Sequence, residues 1–261
     1  MTRRHLAFDC AGSRLVGTID AAAGASGLLI VSGGNELRAG AWGGQAQLAA
    51  RVAAAGHPVF RFDRRGVGDS EGTNAGFRGS QPDIAAALNA FRQAVPHMIR
   101  IIAFGNCDAA TALLLGAAEH GLDGLVLANP WTIDSEEVPE ALPAAAIRSR
   151  YLEKLANPRE VWRLVSGGVD LRKLAGGLRA AATSSAPTSP LAETMHARCE
   201  ALAIPVQILL AARDRTAQMF AEAWSRGDPR VRSIDSGSHS FSDDAARDWL
   251  TARLLEMLSQ P

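Results

Sequence analysis

Short apolar runs alternate with longer amphipathic segments along most of the chain. Leu28-Leu29-Ile30-Val31, His57 to Phe62, Ile99 to Phe104, Leu122 to Ala128, Pro205 to Leu210 and Val231 to Asp235 are strand-sized. Between them, segments 41–55, 80–95, 109–120, 216–224 and 243–258 carry helical patterning. The segment 80–95 shows it in the spacing of Ile84, Ala87, Leu88 and Phe91. Continuous apolar strands separated by helices predict a mostly parallel sheet covered on both faces. The first twenty residues differ. Arg4 to Phe8 and Arg14 to Ile19 flank Ala11-Gly12-Ser13, which reads as an antiparallel hairpin at the sheet edge.

Residues 130–200 break the rhythm. They contain Pro130, Pro139, Pro143 and Pro158, the pairs Gly167-Gly168 and Gly176-Gly177, and an Ala/Ser/Thr/Pro stretch at 180–190. Helical pieces are expected at 140–156 and 158–166, followed by a flexible connector. This divides the chain into a core, 1–129 and 201–261, and an inserted helical lid, 130–200. Such an insertion either adds only stability or covers a site. Its place between two strands favours a lid, because ligands bind at the carboxyl ends of parallel strands.

Composition narrows the function. The chain has 261 residues, with 27 basic and 27 acidic side chains, so no basic surplus exists to neutralise phosphates. Nucleic-acid binding is therefore not expected. No apolar run reaches transmembrane length, and the N-terminal MTRRHLAFDC lacks the apolar stretch of a signal peptide. A cytoplasmic location is expected. Three cysteines, Cys10, Cys107 and Cys199, are too few and scattered for a disulfide framework or zinc site. Neither a nucleotide fingerprint nor metal-ligand spacing is present, so no cofactor or metal is expected.

One cysteine has a chemical setting. In Ile101-Ile102-Ala103-Phe104-Gly105-Asn106-Cys107-Asp108-Ala109-Ala110 an apolar strand enters Gly-x-Cys-x-Ala and then a helix. This is a nucleophile-elbow arrangement with Cys in the nucleophile position. Small residues on either side allow the backbone to turn sharply. The turn lifts the side chain off the sheet and aims the next N–H, that of Asp108, at a developing oxyanion. Partners follow in the order acid, then histidine. Asp214 comes just past the strand 205–210, and His239 lies in the small-residue loop Ser236 to Phe241 after strand 231–235. His239 would be the general base, with Asp214 orienting it. Competing readings are a salt bridge of Asp214 with Arg213 or Arg215, and His239 as a cap of the last helix. Asp134 is the alternative carboxylate. Ser32-Gly33-Gly34-Asn35-Glu36 follows the first central strand, and its backbone is the source of a second oxyanion donor, Asn35 or Gly34. Glu36 and Trp131 are candidates for substrate contact, although Glu36 could equally face solvent.

The segment Phe62-Asp63-Arg64-Arg65-Gly66-Val67-Gly68-Asp69-Ser70 resembles the Asp-x-Arg-Gly-x-Gly-x-Ser loop of many α/β-hydrolases. Asn129-Pro130-Trp131 and Arg150-Tyr151-Leu152-Glu153-Lys154-Leu155 extend the likeness. Together with the Cys107 segment they resemble the α/β-hydrolases encoded with exosortase A and exopolysaccharide systems, in which the nucleophile position is typically Cys. Asn35-Glu36-Leu37 departs from the Pro-Gln-Tyr expected there. The resemblance implies an α/β-hydrolase fold of about eight strands with a helical lid. It also implies ester or thioester chemistry on a small-molecule or lipid-like acyl substrate. Transfer of the acyl group to an alcohol or amine, and a non-catalytic binding role on the same scaffold, are the alternatives. Oligomeric state is not readable from the sequence.

Overall fold

The computed structural model describes residues 2–134 and 189–260. Eight strands form one sheet: β1 (Thr2–Cys10), β2 (Ser13–Ala21), β3 (Ser26–Val31), β4 (Val59–Phe62), β5 (Arg100–Asn106), β6 (Gly124–Ala128), β7 (Val206–Ala211) and β8 (Val231–Ile234). Their order across the sheet is β1-β2-β4-β3-β5-β6-β7-β8. β1 and β2 form the expected hairpin, turning at Ala11 (φ +47°) and Gly12 (φ +82°). β2 also runs antiparallel to β4, and every pairing from β4 to β8 is parallel. The architecture is the α/β-hydrolase fold expected from the sequence.

Side-chain alternation divides the core in two. Leu29 and Val31 of β3, Ile101 and Ala103 of β5 and Leu125 and Leu127 of β6 face one layer. Leu28 and Ile30, Ile102 and Phe104, and Val126 and Ala128 face the other. Neighbouring residues thus bury against opposite helix layers, which is why these strands are apolar throughout. The first layer contains α2 (Gln81–Ala94), α3 (Asp108–His120), α4 (Pro190–Ala201) and α5 (Arg215–Ala223). The second contains α1 (Gly44–Ala54) and α6 (Asp244–Leu258).

Two elements differ from the sequence pattern. The segment beginning at Ala41 opens as a 3₁₀ turn, Ala41–Gly43, with Trp42 at φ +49°, and the α-helix starts only at Gly44. Consecutive glycines and a left-handed Trp42 interrupt the helical backbone there. Residues Pro190–Ala201, all but the last of which were read as part of the insertion, form α4. Ser189 caps this helix by accepting the Ala192 N–H, and Pro190 occupies its first turn. Leu191, Met195 and Cys199 of α4 are buried in the α3 layer. The expected helical pieces at 140–156 and 158–166, and the Arg150–Leu155 segment, lie outside the described residues.

The chain leaves β3 toward β4 on one side and reaches β5 on the other. The order therefore reverses between β3 and β5, opening a crevice beyond their carboxyl ends. Val31 pairs with Gly105 there, so Ser32–Gly34 and Cys107 emerge side by side.

Candidate active site

Cys107 sits between β5 and α3 with φ +60° and ψ −127°, a conformation costing about 1–3 kcal/mol for a non-glycine residue. Packing holds it there. A Cβ placed on Gly105 would lie 2.8 Å from the Ala109 carbonyl carbon and 2.8 Å from the Ala110 nitrogen. Only glycine lets the strand pass this close to the helix. The Cys107 N–H donates to the Ala128 carbonyl at 2.9 Å, and its carbonyl accepts from the Trp131 N–H at 3.3 Å. The backbone turn is thus tied to the end of β6, and the thiol is partly exposed above it.

Asp214 follows β7 and begins α5. Its Oδ2 accepts the Ala217 N–H at 3.0 Å and also His239 Nδ1 at 3.0 Å. One carboxylate therefore caps a helix and holds an imidazole. Arg213 pairs instead with Asp235, and Asp243 caps α6, so neither competing reading of Asp214 with Arg213 or of His239 as a cap is realised. Asp134 pairs with Arg78. The His239 pKa is raised to about 10 by its hydrogen bond to Asp214 and by interaction with Cys107. The Asp214 hydrogen bond is the largest cause and the interaction with Cys107 the next, each outweighing desolvation. With Nδ1 on the carboxylate, Nε2 is left for sulfur. Such an arrangement can take a proton from a thiol and return it to a leaving group.

The three oxyanion candidates are placed differently. The Asp108 N–H heads α3, where the first helical amides have no acceptor within the helix. The Gly34 N–H points into the same region but donates to Asp108 Oδ1 at 2.7 Å. Asn35 lies in a turn closed by Glu36 N–H to the Gly33 carbonyl, and its Oδ1 accepts from Asn74. Arg64 Nη2 donates to the Gly34 carbonyl at 2.5 Å and lies 3.5 Å from Asp108 Oδ2. The Asp63 carboxylate takes the Arg38 and Asp69 N–H groups. The Asp-Arg pair of this loop therefore braces backbone.

A cavity of about 440 Å³ lies over the thiol, lined by Gly34, Phe77, Arg78, Cys107, Trp131 and Ile133 among others. Trp131 is brought to it, with its carbonyl held by the Thr111 hydroxyl at 2.7 Å. Glu36 is not. Its carboxylate accepts from the Ala41 N–H and the Gln45 amide, which turn it toward a separate hollow beside Trp42 and Phe104. Phe77 and Arg78 were not singled out by the sequence, since a lone aromatic in a polar loop carries no motif. Asn106 and Asn129 were also missed as residues in contact with the His239 loop.

A family model described as "Alpha/beta hydrolase family" matches residues 28–253. The chain belongs to the alpha/beta hydrolase family. The match spans β3 through most of α6 and thus every residue of the site above. Among solved α/β-hydrolase structures, the esterase Pf2001 of Pyrococcus furiosus is 16% identical, with a TM-score of 0.62 over 98% of this chain and 90% of that one. An alpha-beta serine hydrolase homologue from Coxiella burnetii is 17% identical, with a TM-score of 0.60 over 99% of both chains. Alpha/beta hydrolase domain-containing protein 10 from mouse is 16% identical, with a TM-score of 0.59 over 98% of both chains. At these identities the likeness is one of fold. No curated protein sequence matches. Among the described residues no helix is long and apolar enough to cross a membrane, and no group of three His, Cys, Asp or Glu side chains could hold a metal.

Proposed function

We propose that this α/β-hydrolase cleaves a small ester or thioester through an S-acyl Cys107 intermediate. The observation that carries the proposal is the His239 imidazole, bonded through Nδ1 to the Asp214 carboxylate at 3.0 Å and perturbed electrostatically by Cys107. His239, whose pKa is raised to about 10, holds the proton passed from the thiol before sulfur attacks the carbonyl carbon. The carbonyl π pair moves to oxygen, and the tetrahedral oxyanion faces the Asp108 N–H, with Gly34 as second donor once the Asp108 carboxylate gives way. The oxyanion collapses, the bond to the leaving oxygen or sulfur breaks, and the imidazolium protonates the leaving group. Water, deprotonated by His239, then attacks the thioester and restores the thiol.

A sulfur nucleophile favours thioester substrates. Exchange of one thioester for another is nearly balanced, whereas forming a thioester from an ester is uphill. Phe77, Trp131 and Ile133 support an apolar acyl group in the cavity. The likeness to exosortase-associated hydrolases supports a role beside exopolysaccharide systems.

The test is to trap the acyl group. Brief reaction with an acyl thioester, followed by acid quench and peptide mass analysis, is expected to find the acyl mass on Cys107 alone. Cys107→Ala is expected to lose the adduct and at least on the order of 10³-fold in turnover. A Cys107→Ala variant with full activity would overturn the proposal.

A further inference from the structure

Asn129 follows β6 with φ +40° and is fully buried. Asparagine is among the few non-glycine residues that reach this region readily. Its polar atoms contact separate chain segments. The N–H donates to the Leu209 carbonyl at 2.9 Å, and Oδ1 accepts the Ala211 N–H at 2.9 Å. Both partners belong to β7, which ends three residues before Asp214. Nδ2 donates to Asn106 Oδ1 at 3.2 Å and to the His239 carbonyl at 3.0 Å. Asn106, the last residue of β5, gives the same carbonyl a second hydrogen bond from its own Nδ2, at 3.1 Å.

Two amide side chains thus converge on one backbone carbonyl. One stands immediately before Cys107. The other binds the strand that leads to Asp214. We infer that Asn129 and Asn106 are positioning residues that hold the His239 backbone in line with Cys107 and Asp214. This rests on the triad reading proposed above. Neither residue lines the cavity over the thiol.

The chemistry of the position explains the residue type. Asn129 must accept one N–H and donate to two oxygens while remaining uncharged in the core. A carboxylate would set lone pairs against the His239 and Asn106 oxygens. Alanine would leave the Ala211 N–H and the His239 carbonyl without these partners. Ser238, His239 and Ser240 are small or polar, so apolar packing by these residues does not lock the loop. Phe241 anchors the end of the loop in the core, and the amide clamp fixes the His239 carbonyl two residues before it.

The experiment uses the full chain and two readouts. These are the pH profile of Cys107 alkylation by iodoacetamide, and kcat and KM on an acyl thioester. Asn106→Ala removes one donor to the His239 carbonyl and the acceptor of one Asn129 hydrogen bond, and keeps the Asn129 contacts to β7 and to the His239 carbonyl. Asn129→Gly removes the amide but tolerates the positive φ. We expect kcat to fall on the order of tenfold in Asn106→Ala and 10²-fold in Asn129→Gly, with KM little changed. The alkylation profile is expected to shift in the same direction as in His239→Ala, by less. Wild-type profiles and kcat in a folded Asn129→Gly overturn the inference. Should that variant not fold, the same result in Asn106→Ala overturns it. If His239→Ala itself alkylates with the wild-type profile, the triad reading fails and takes this inference with it. A shift in His239→Ala without one in either asparagine variant removes the inference alone.

Discussion

At the residue scale, His239 connects structure to pH. Its hydrogen bond to Asp214 and its interaction with Cys107 raise its pKa from 6.5 to about 10, so the folded chain binds its proton more tightly than the unfolded chain does. The resulting stabilisation is complete below pH 6.5. It declines as pH rises through the interval and is gone above about 10. Asp214→Asn keeps an oxygen for the α5 cap but removes the charge. Wild type is therefore expected to exceed Asp214→Asn in stability by a margin that shrinks with rising pH, as measured by urea unfolding below, within and above that interval. The neighbouring Asp108 gives a second prediction. Its carboxylate occupies the Gly34 N–H, a candidate donor for the oxyanion. In Asp108→Ala that amide becomes available, and acylation of Cys107 is expected to accelerate on the order of tenfold, about one net hydrogen bond to a charged group. Rapid-quench measurement of the acyl adduct checks this, and a slower rate would mean that the carboxylate instead holds the loop in its working shape.

Among the elements, the strand-to-helix turn at Cys107 was the most legible in the sequence. Gly105, Cys107 and Ala109 announced it because a sharp turn tolerates only small neighbours, and the structure gives the measure of that constraint. A methyl group on Gly105 would press on the backbone of α3, which cannot give as a flexible side chain could. Gly105→Ala is therefore expected to destabilise the chain by about 1–3 kcal/mol, read from the denaturation midpoint. The central strands β3, β5, β6 and β7 were equally readable from their apolar runs. α4 was not. It has weak amphipathic patterning and follows a Pro/Ser/Thr-rich stretch, and only its contact with α3 makes Leu191, Met195 and Cys199 core residues. The start of α1 was hidden for another reason. Trp42 adopts a left-handed backbone, and its indole N–H donates to Ser240 at 3.1 Å, a contact between segments 198 residues apart.

For the whole molecule, the three cysteines have three different environments. Cys10 is buried, and desolvation with a hydrogen bond to Asp83 pushes its pKa up to about 11. Cys199 is buried on α4, and its pKa is also raised by desolvation. Cys107 alone is partly exposed. A thiol reagent is expected to modify one cysteine per native chain, at Cys107, and all three after denaturation. Quantitative mass spectrometry of the labelled peptides checks the count, and equal native labelling of all three would contradict these environments.

The sequence by itself determined the alternation of strands and helices outside α4, the hairpin, the turn around Cys107 and the placing of Asp214 and His239 after later strands. These are local properties, written in periodicity and in residues whose size or backbone freedom a turn requires. Tertiary structure decided what depends on distant segments meeting. It brought Asp214 and His239 together across 25 residues, and turned Glu36 away from the cavity by engaging it with Ala41 and Gln45. It also set the Asp108 carboxylate on the Gly34 amide and joined β5, β6, β7 and the His239 loop through Asn129. Hydrogen bonds between residues far apart in sequence leave no periodic trace, because each needs only a donor and an acceptor that the fold happens to align.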